Sequence, residues 1–170
     1  VFMTSEKSAK IILSMSRVFG VLFLPTMTVH TEFSFEDVEY FIDCARHGEL
    51  EEMQSILAQY PTFPACQSDA SGRTALHAAA ANGHLDTVTW LLSGASPALV
   101  HVQNAQGNTA LHWAALNGHE AVVRALLAAG ADVRTQNAEG KTASYEARKH
   151  GHDAIVDLMV DALMALDRKS

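Results

Sequence analysis

Nine histidines, two cysteines and two fragments of enzyme motifs are the residues of this chain whose types could do chemistry. A third ligand beside His150-Gly151-His152 would suit a transition metal, and a histidine beside Ser or Cys would suit nucleophilic work. The spacings assemble neither. Cys44 and Cys66 have no CxxC spacing and too few partners for a zinc site or a disulfide framework, which fits a reducing compartment. Cys44 falls in an apolar helical pattern and is expected to be a buried thiol, whereas Cys66 lies in a Pro-containing loop and is expected to be accessible. Gly140-Lys141-Thr142 matches the end of a P-loop, but the upstream glycine that motif requires is Thr135. His119-Glu120 opens an HExxH pattern that Val123 fails to close, and no GxSxG occurs. No nucleophile–base set is coherent, so we expect no enzymatic activity, no metal and no cofactor.

Position must therefore come from a scaffold, and the scaffold is a repeat. GRTALHAAAANGHLDTVTWLL from Gly72 returns as GNTALHWAALNGHEAVVRALL from Gly107 and, degraded, as GKTASYEARKHGHDAIVDLMV from Gly140. The glycine spacings are 35 and 33 residues, and a fainter copy, DCARHGELEEMQSIL, begins at Asp43. In each unit small and apolar residues (Leu111, Ala114, Ala115) share a short inner helix. A glycine (Gly48, Gly83, Gly118, Gly151) turns the chain, and an outer helix follows with Val122, Val123, Leu126 and Leu127 at helical spacing. One such pair cannot bury its apolar face alone, so the units must stack. Ser34 three residues before Asp37 suggests a capping box at the first helix, Pro61 should end the outer helix Leu50–Tyr60, and the last helix should run from Asp153 to about Asp167.

A period near 33 with TALHxAA and NGH resembles the ankyrin-repeat family over about Ser34 to Leu166. The resemblance implies an all-α solenoid of about four helix-turn-helix repeats with short β-turn fingers and atypical capping repeats at both ends. The repeats would span 34–69, 70–104, 105–137 and 138–167, with residues 1–33 as an extension and 168–170 as a tail. It assigns structural roles to Thr74, His77, Gly83, Thr109, His112, Gly118, Thr142 and Gly151. It also implies that a protein partner binds the concave face and fingers, here Ser71, Arg73, Asn82, Gln106, Asn108, Trp113, Leu116, Asn117, Glu139, Lys141 and Lys149. Trp113 with Leu116 would be the apolar anchor.

Charge narrows the partner. The chain carries −7 with a mean hydropathy of +0.05, and because Lys7, Lys10 and Arg17 face only Glu6 in residues 1–26, Met27–Ser170 carries −9. Nucleic acid is not expected, since its affinity comes from cationic side chains, and no apolar run is long enough to span a bilayer. Around the first helix Glu36, Glu39, Asp43, Glu49, Glu51 and Glu52, with Glu32 and Asp37, face only Arg46. That acidic cap is either a solvated surface or a site for a basic partner. The short DCARHGELEEM cap, the lengthened second repeat and GNTALHWAALNGH together resemble the small fungal ankyrin-repeat chaperones of a KH-domain ribosomal protein of the small subunit. That resemblance implies a monomer in the cytoplasm, with nuclear entry open, that shields a basic segment of a new ribosomal protein. Another intracellular ankyrin adaptor, such as a proteasome-assembly factor or a signalling scaffold, remains the alternative. Residues 11–24 after Lys7 and Lys10 have the outline of a secretory signal, but Arg17 interrupts them and no small-x-small site follows Pro25. Residues 1–33 are expected to be flexible or to lie partly ahead of a natural start at Met27.

Overall fold

The computed structural model describes residues 35–60, 66–94 and 97–167. The expectations for residues 1–33, Ser34, Pro61 and 168–170 lie outside them. Within the unit Phe33–Ser170, the described residues form eight α-helices: α1 Phe35–His47, α2 Leu50–Gln59, α3 Ala75–Ala81, α4 Leu85–Gly94, α5 Ala110–Leu116, α6 Glu120–Ala128, α7 Ala143–Lys149 and α8 Asp153–Asp167. The inner helices α1, α3, α5 and α7 pack in that order, and the outer helices α4, α6 and α8 do the same behind them.

Each element follows from its residues. Val38, Phe41, Ile42 and Ala45 put one stripe of α1 into the core, while Glu36 and Asp37 in its first turn and Arg46 and His47 in its last complement the helix dipole. Helices α3, α5 and α7 have seven residues each, too few to persist alone, so their order comes from packing. Their buried alanines, Ala79, Ala80, Ala114, Ala115 and Ala147, allow that packing to be close. Outer-helix Val88, Leu91, Val122, Leu126, Ile155 and Met159 close the core, each worth about 1.5–3 kcal/mol when fully buried. Leu85, at the first position of α4, stays exposed. Helix α2 stops at Gln59, one residue short of the expected end, and Tyr60 caps it through its N–H to the Ile56 carbonyl. The lengthened second connection forms a 3-10 turn, Pro97–His101, that buries Leu99 and Val100.

Two histidine ladders tie one repeat to the next. The Thr74 N–H donates to His77 Nδ1 at 3.2 Å, so Nε2 carries the ring proton and donates it to the Asn108 carbonyl of the following repeat at 3.0 Å. Thr109 and His112 do the same at 3.2 Å, and His112 Nε2–H reaches the Lys141 carbonyl at 3.1 Å. In the second ladder His84, His119 and His152 donate Nε2–H backwards to the carbonyls of Arg46 (2.9 Å), Ala81 (3.1 Å) and Leu116 (3.2 Å). Each of those rings rests on the preceding turn glycine, Gly48, Gly83 or Gly118, whose φ is 71°, 76° or 79°. A Cβ there would lie 2.6 Å from the imidazole.

Gly118 and Gly151 separate the two demands. Gly151 has φ 77° with open space where a Cβ would go, so Gly151→Ala should cost about 1–2 kcal/mol of left-handed strain alone. Gly118→Ala adds the displacement of His152 and loss of its hydrogen bond, a further ~1 kcal/mol or more. Urea unfolding midpoints at constant m-value check the difference.

Burial of the rings, opposed by hydrogen bonds to the Asn108 and Lys141 carbonyls, holds His77 and His112 below the ordinary imidazole value of 6.5. The unfolded chain therefore binds protons that the folded chain refuses. Stability should be full above about 6.5 and fall as pH drops through that value towards the lower folded pKa. Urea midpoints at pH 7.5 and 5.5 measure this, and the gap should narrow in His77→Gln.

Candidate functional site

The site is built from the fingers that precede α3, α5 and α7. In each, an Asx side chain shapes the turn. Asp69 Oδ1 accepts from the N–H groups of Ser71 (2.8 Å) and Arg73 (2.9 Å), Asn104 Oδ1 from Gln106 (3.0 Å) and Asn108 (2.9 Å), and Asn137 Oδ1 from Glu139 and Lys141 (both 3.0 Å). The fingers are then pinned side by side, Ala105 N–H to the Ser71 carbonyl and Ala138 N–H to the Gln106 carbonyl, each at 2.9 Å. A Cβ on Gly107 would lie 2.7 Å from the Ala138 nitrogen, so this approach requires glycine. Asp69 also holds the Arg73 guanidinium at 2.8 Å. Its burial resists ionisation, but hydrogen bonds from Ser71 and Arg73 prevail and keep its carboxyl below the usual carboxylate range.

Five of the expected partner-facing residues converge. Ser71, Arg73, Gln106, Asn108 and Trp113 line one open depression of about 340 Å³ between the first two fingers and α5. Trp113 is half-buried, and its Nε1–H is shielded from solvent with no acceptor among the described residues. An unpaired buried donor costs about 1–3 kcal/mol. Leu116 is half-buried on the same helix, and its carbonyl is occupied by His152.

The other residues stand apart from the depression. Asn82 and Asn117 lie at the C-terminal ends of α3 and α5 and donate their amides to the carbonyls of Ala78 (2.9 Å) and Ala81 (2.7 Å). Glu139 and Lys141 form an ion pair on the third finger, with the Lys141 ammonium 5.6 Å from the centre of the exposed Tyr145 ring. Lys149 is exposed at the end of α7. In the acidic cap Glu36, Glu39 and Glu51 are exposed and Asp43, Glu49 and Glu52 half-buried. Asp43 is engaged by Arg46 at 2.6 Å, and the Tyr40 hydroxyl donates to Glu52 at 3.5 Å. Cys44 is buried, its thiol pushed up to about 12 chiefly by burial, and Cys66 is exposed.

The structural positions Thr74, Thr109 and Thr142 cap α3, α5 and α7, the last by accepting from the Tyr145 N–H. Gly140 is a finger-turn glycine with φ 71°, which accounts for the P-loop-like fragment. Sequence reasoning missed two sets of residues. Asp69, Asn104 and Asn137 recur at the repeat period, a signal that was available. Glu146, only 8% exposed, occupies in the fourth repeat the position of Trp113 and Ala78. Among the described residues no three metal-ligating side chains cluster, and no helix is long and apolar enough to cross a membrane.

Stacked helix pairs with pinned fingers and a lined inner face define a repeat scaffold for protein interaction. Models of ankyrin repeats match residues 41–92 and 96–169, and the chain belongs to the ankyrin-repeat family. It is all-α, an ankyrin solenoid. A curated relative, the ankyrin repeat-containing protein YAR1 of Saccharomyces cerevisiae, is 38% identical over 76 residues, or 42% of this chain. The chain spans 38% of that relative's length. Among solved structures, a chain of the yeast ribosomal protein Rps3 in complex with its chaperone Yar1 matches with a TM-score of 0.68 and 37% identity, covering 73% of this chain and 91% of that one.

The sister fingers predict the effect of mutating Asp69. Asn104 and Asn137 make the same two backbone bonds without a charge, so Asp69→Asn should lose only the partly exposed ion pair, about 1 kcal/mol or less. Asp69→Ala leaves the Ser71 and Arg73 N–H groups without their acceptor and should cost about 2–3 kcal/mol. Thermal and urea unfolding of the two variants check the ranking.

Proposed function

We propose that this chain is a dedicated chaperone that shields a basic segment of a small-subunit ribosomal protein before its assembly, and that it has no enzymatic activity of its own. The observation that carries this reading is the 37% identity and TM-score of 0.68 to a chain of the Rps3–Yar1 complex, over 91% of that chain. The −9 balance from Met27 onward supports it. A ribosomal protein outside the ribosome exposes cationic surface that RNA otherwise neutralises, and an acidic binder captures it quickly. The inner-helix face and fingers, centred on Trp113, hold the segment, and the carboxylates of α1 and α2 supply the long-range attraction. Two free cysteines and this client support a cytoplasmic chaperone that accompanies its client to the nucleus.

Recombinant yeast Rps3 is the probe. The chain should form an equimolar complex with it on gel filtration and suppress its aggregation in light scattering. Raising salt from about 0.1 to 0.5 M should weaken binding at least about tenfold, because screening shortens the reach of exposed charges. Trp113→Ala should weaken it by a similar factor. Absence of a complex, or a complex indifferent to both salt and Trp113, overturns the proposal.

A further inference from the structure

The depression beside Trp113 has a chemistry opposite to the net charge of the chain. Its backbone acceptors and those of Asp69 and Asn108 are already engaged. The Asp69 carboxylate receives Ser71 and Arg73, the Asn108 side-chain oxygen receives Asn137 Nδ2 at 2.9 Å, and the Ser71 and Gln106 carbonyls receive the neighbouring fingers. Its donors are not. Arg73 binds Asp69 through Nε and Nη2, leaving Nη1 unengaged among the described residues. The Asn108 Nδ2 amide has no partner among the described residues, and neither has the Gln106 side chain, whose amide can donate or accept; the Trp113 Nε1–H is shielded, so that residue contributes its ring as a wall. Three N–H donor groups and one aromatic wall around a volume of about 340 Å³ have room for a planar acceptor of side-chain size.

We propose that this depression is a carboxylate pocket: it takes one Asp or Glu side chain of the bound segment and so fixes the register of an otherwise basic partner. A guanidinium fork facing a carboxylate gives directional, charge-assisted bonds, which the exposed carboxylates of the acidic cap cannot match for geometry. A lysine or arginine placed here would meet Arg73 and find no unengaged carboxylate, so the pocket also rejects a segment shifted in register. The inference rests on the chaperone reading for the identity of the partner. It does not rest on it for the chemistry of the pocket.

Gln106 provides the test, because its side chain is exposed and no contact of the fold depends on it. If the pocket takes a carboxylate, Gln106→Glu should weaken binding of recombinant Rps3 about tenfold or more, and Gln106→Lys should keep or strengthen it. A chain that merely attracts a basic segment predicts the opposite order, and that order, or no effect of either, overturns the pocket. If the unaltered chain binds no Rps3, the chaperone reading falls and the pocket is read alone, by NMR of the Trp113 Nε1–H and Asn108 side-chain amide signals. Saturable shifts with N-acetyl-glutamate amide, absent with N-acetyl-lysine amide, support the pocket. Shifts with neither or with both overturn it.

Discussion

The stack depends on one contact made three times: an imidazole laid on the turn glycine of the preceding repeat, with its Nε2–H on a backbone carbonyl there. The contact fixes two things at once. Only glycine leaves space for the ring, and only a left-handed residue makes the turn, so one residue type meets a steric and a conformational demand together. The hydrogen bond then sets the axial position of the next repeat. Apolar burial supplies most of the free energy of stacking but is non-directional. The ring on the glycine supplies the direction, and the forward ladder of His77 and His112 sets the spacing on the finger side.

That spacing is what makes a site. Fingers from successive repeats are joined by backbone bonds at 2.9 Å, which brings Arg73 from one and Gln106 and Asn108 from the next to a single depression. None of these side chains belongs to the same turn as Trp113. Their convergence is a property of repeat geometry, in which a residue one period away is a spatial neighbour. The fourth repeat departs from this pattern. The histidine position there is Tyr145, half exposed and close to Lys141, instead of a bridging imidazole.

Much of this was legible in the sequence, because a repeat prints its structure several times. Two nearly complete TALH and NGH copies located the inner helices, the capping threonines, the turn glycines and the structural histidines. What was not legible lay where one copy departs from another. The 3-10 turn that buries Leu99 and Val100 fills an insertion with no sister to compare. The burial of Glu146 contradicts its residue type, since a carboxylate is rarely core and its counterparts are Ala78 and Trp113. Asp69, Asn104 and Asn137 did repeat, but alternation between Asp and Asn hid a shared role as acceptor behind a difference in charge.

Net charge and local hydrogen bonding act over different distances, and this explains why the acidic balance of the chain does not describe the depression beside Trp113. Carboxylates on α1 and α2 act on a partner across about a Debye length, roughly 8 Å at physiological salt, and their pull is nearly indifferent to orientation. Hydrogen bonds act near 3 Å and only along the donor direction. A protein can therefore be acidic overall, to gather basic segments, and yet present donors at the point of contact. Composition records the first property. The second depends on which acceptors the fold has already engaged, and here the finger turns engage the carboxylate of Asp69 and the side-chain oxygens of Asn104, Asn108 and Asn137, which leaves the Arg73 Nη1 and Asn108 amide N–H groups beside Trp113.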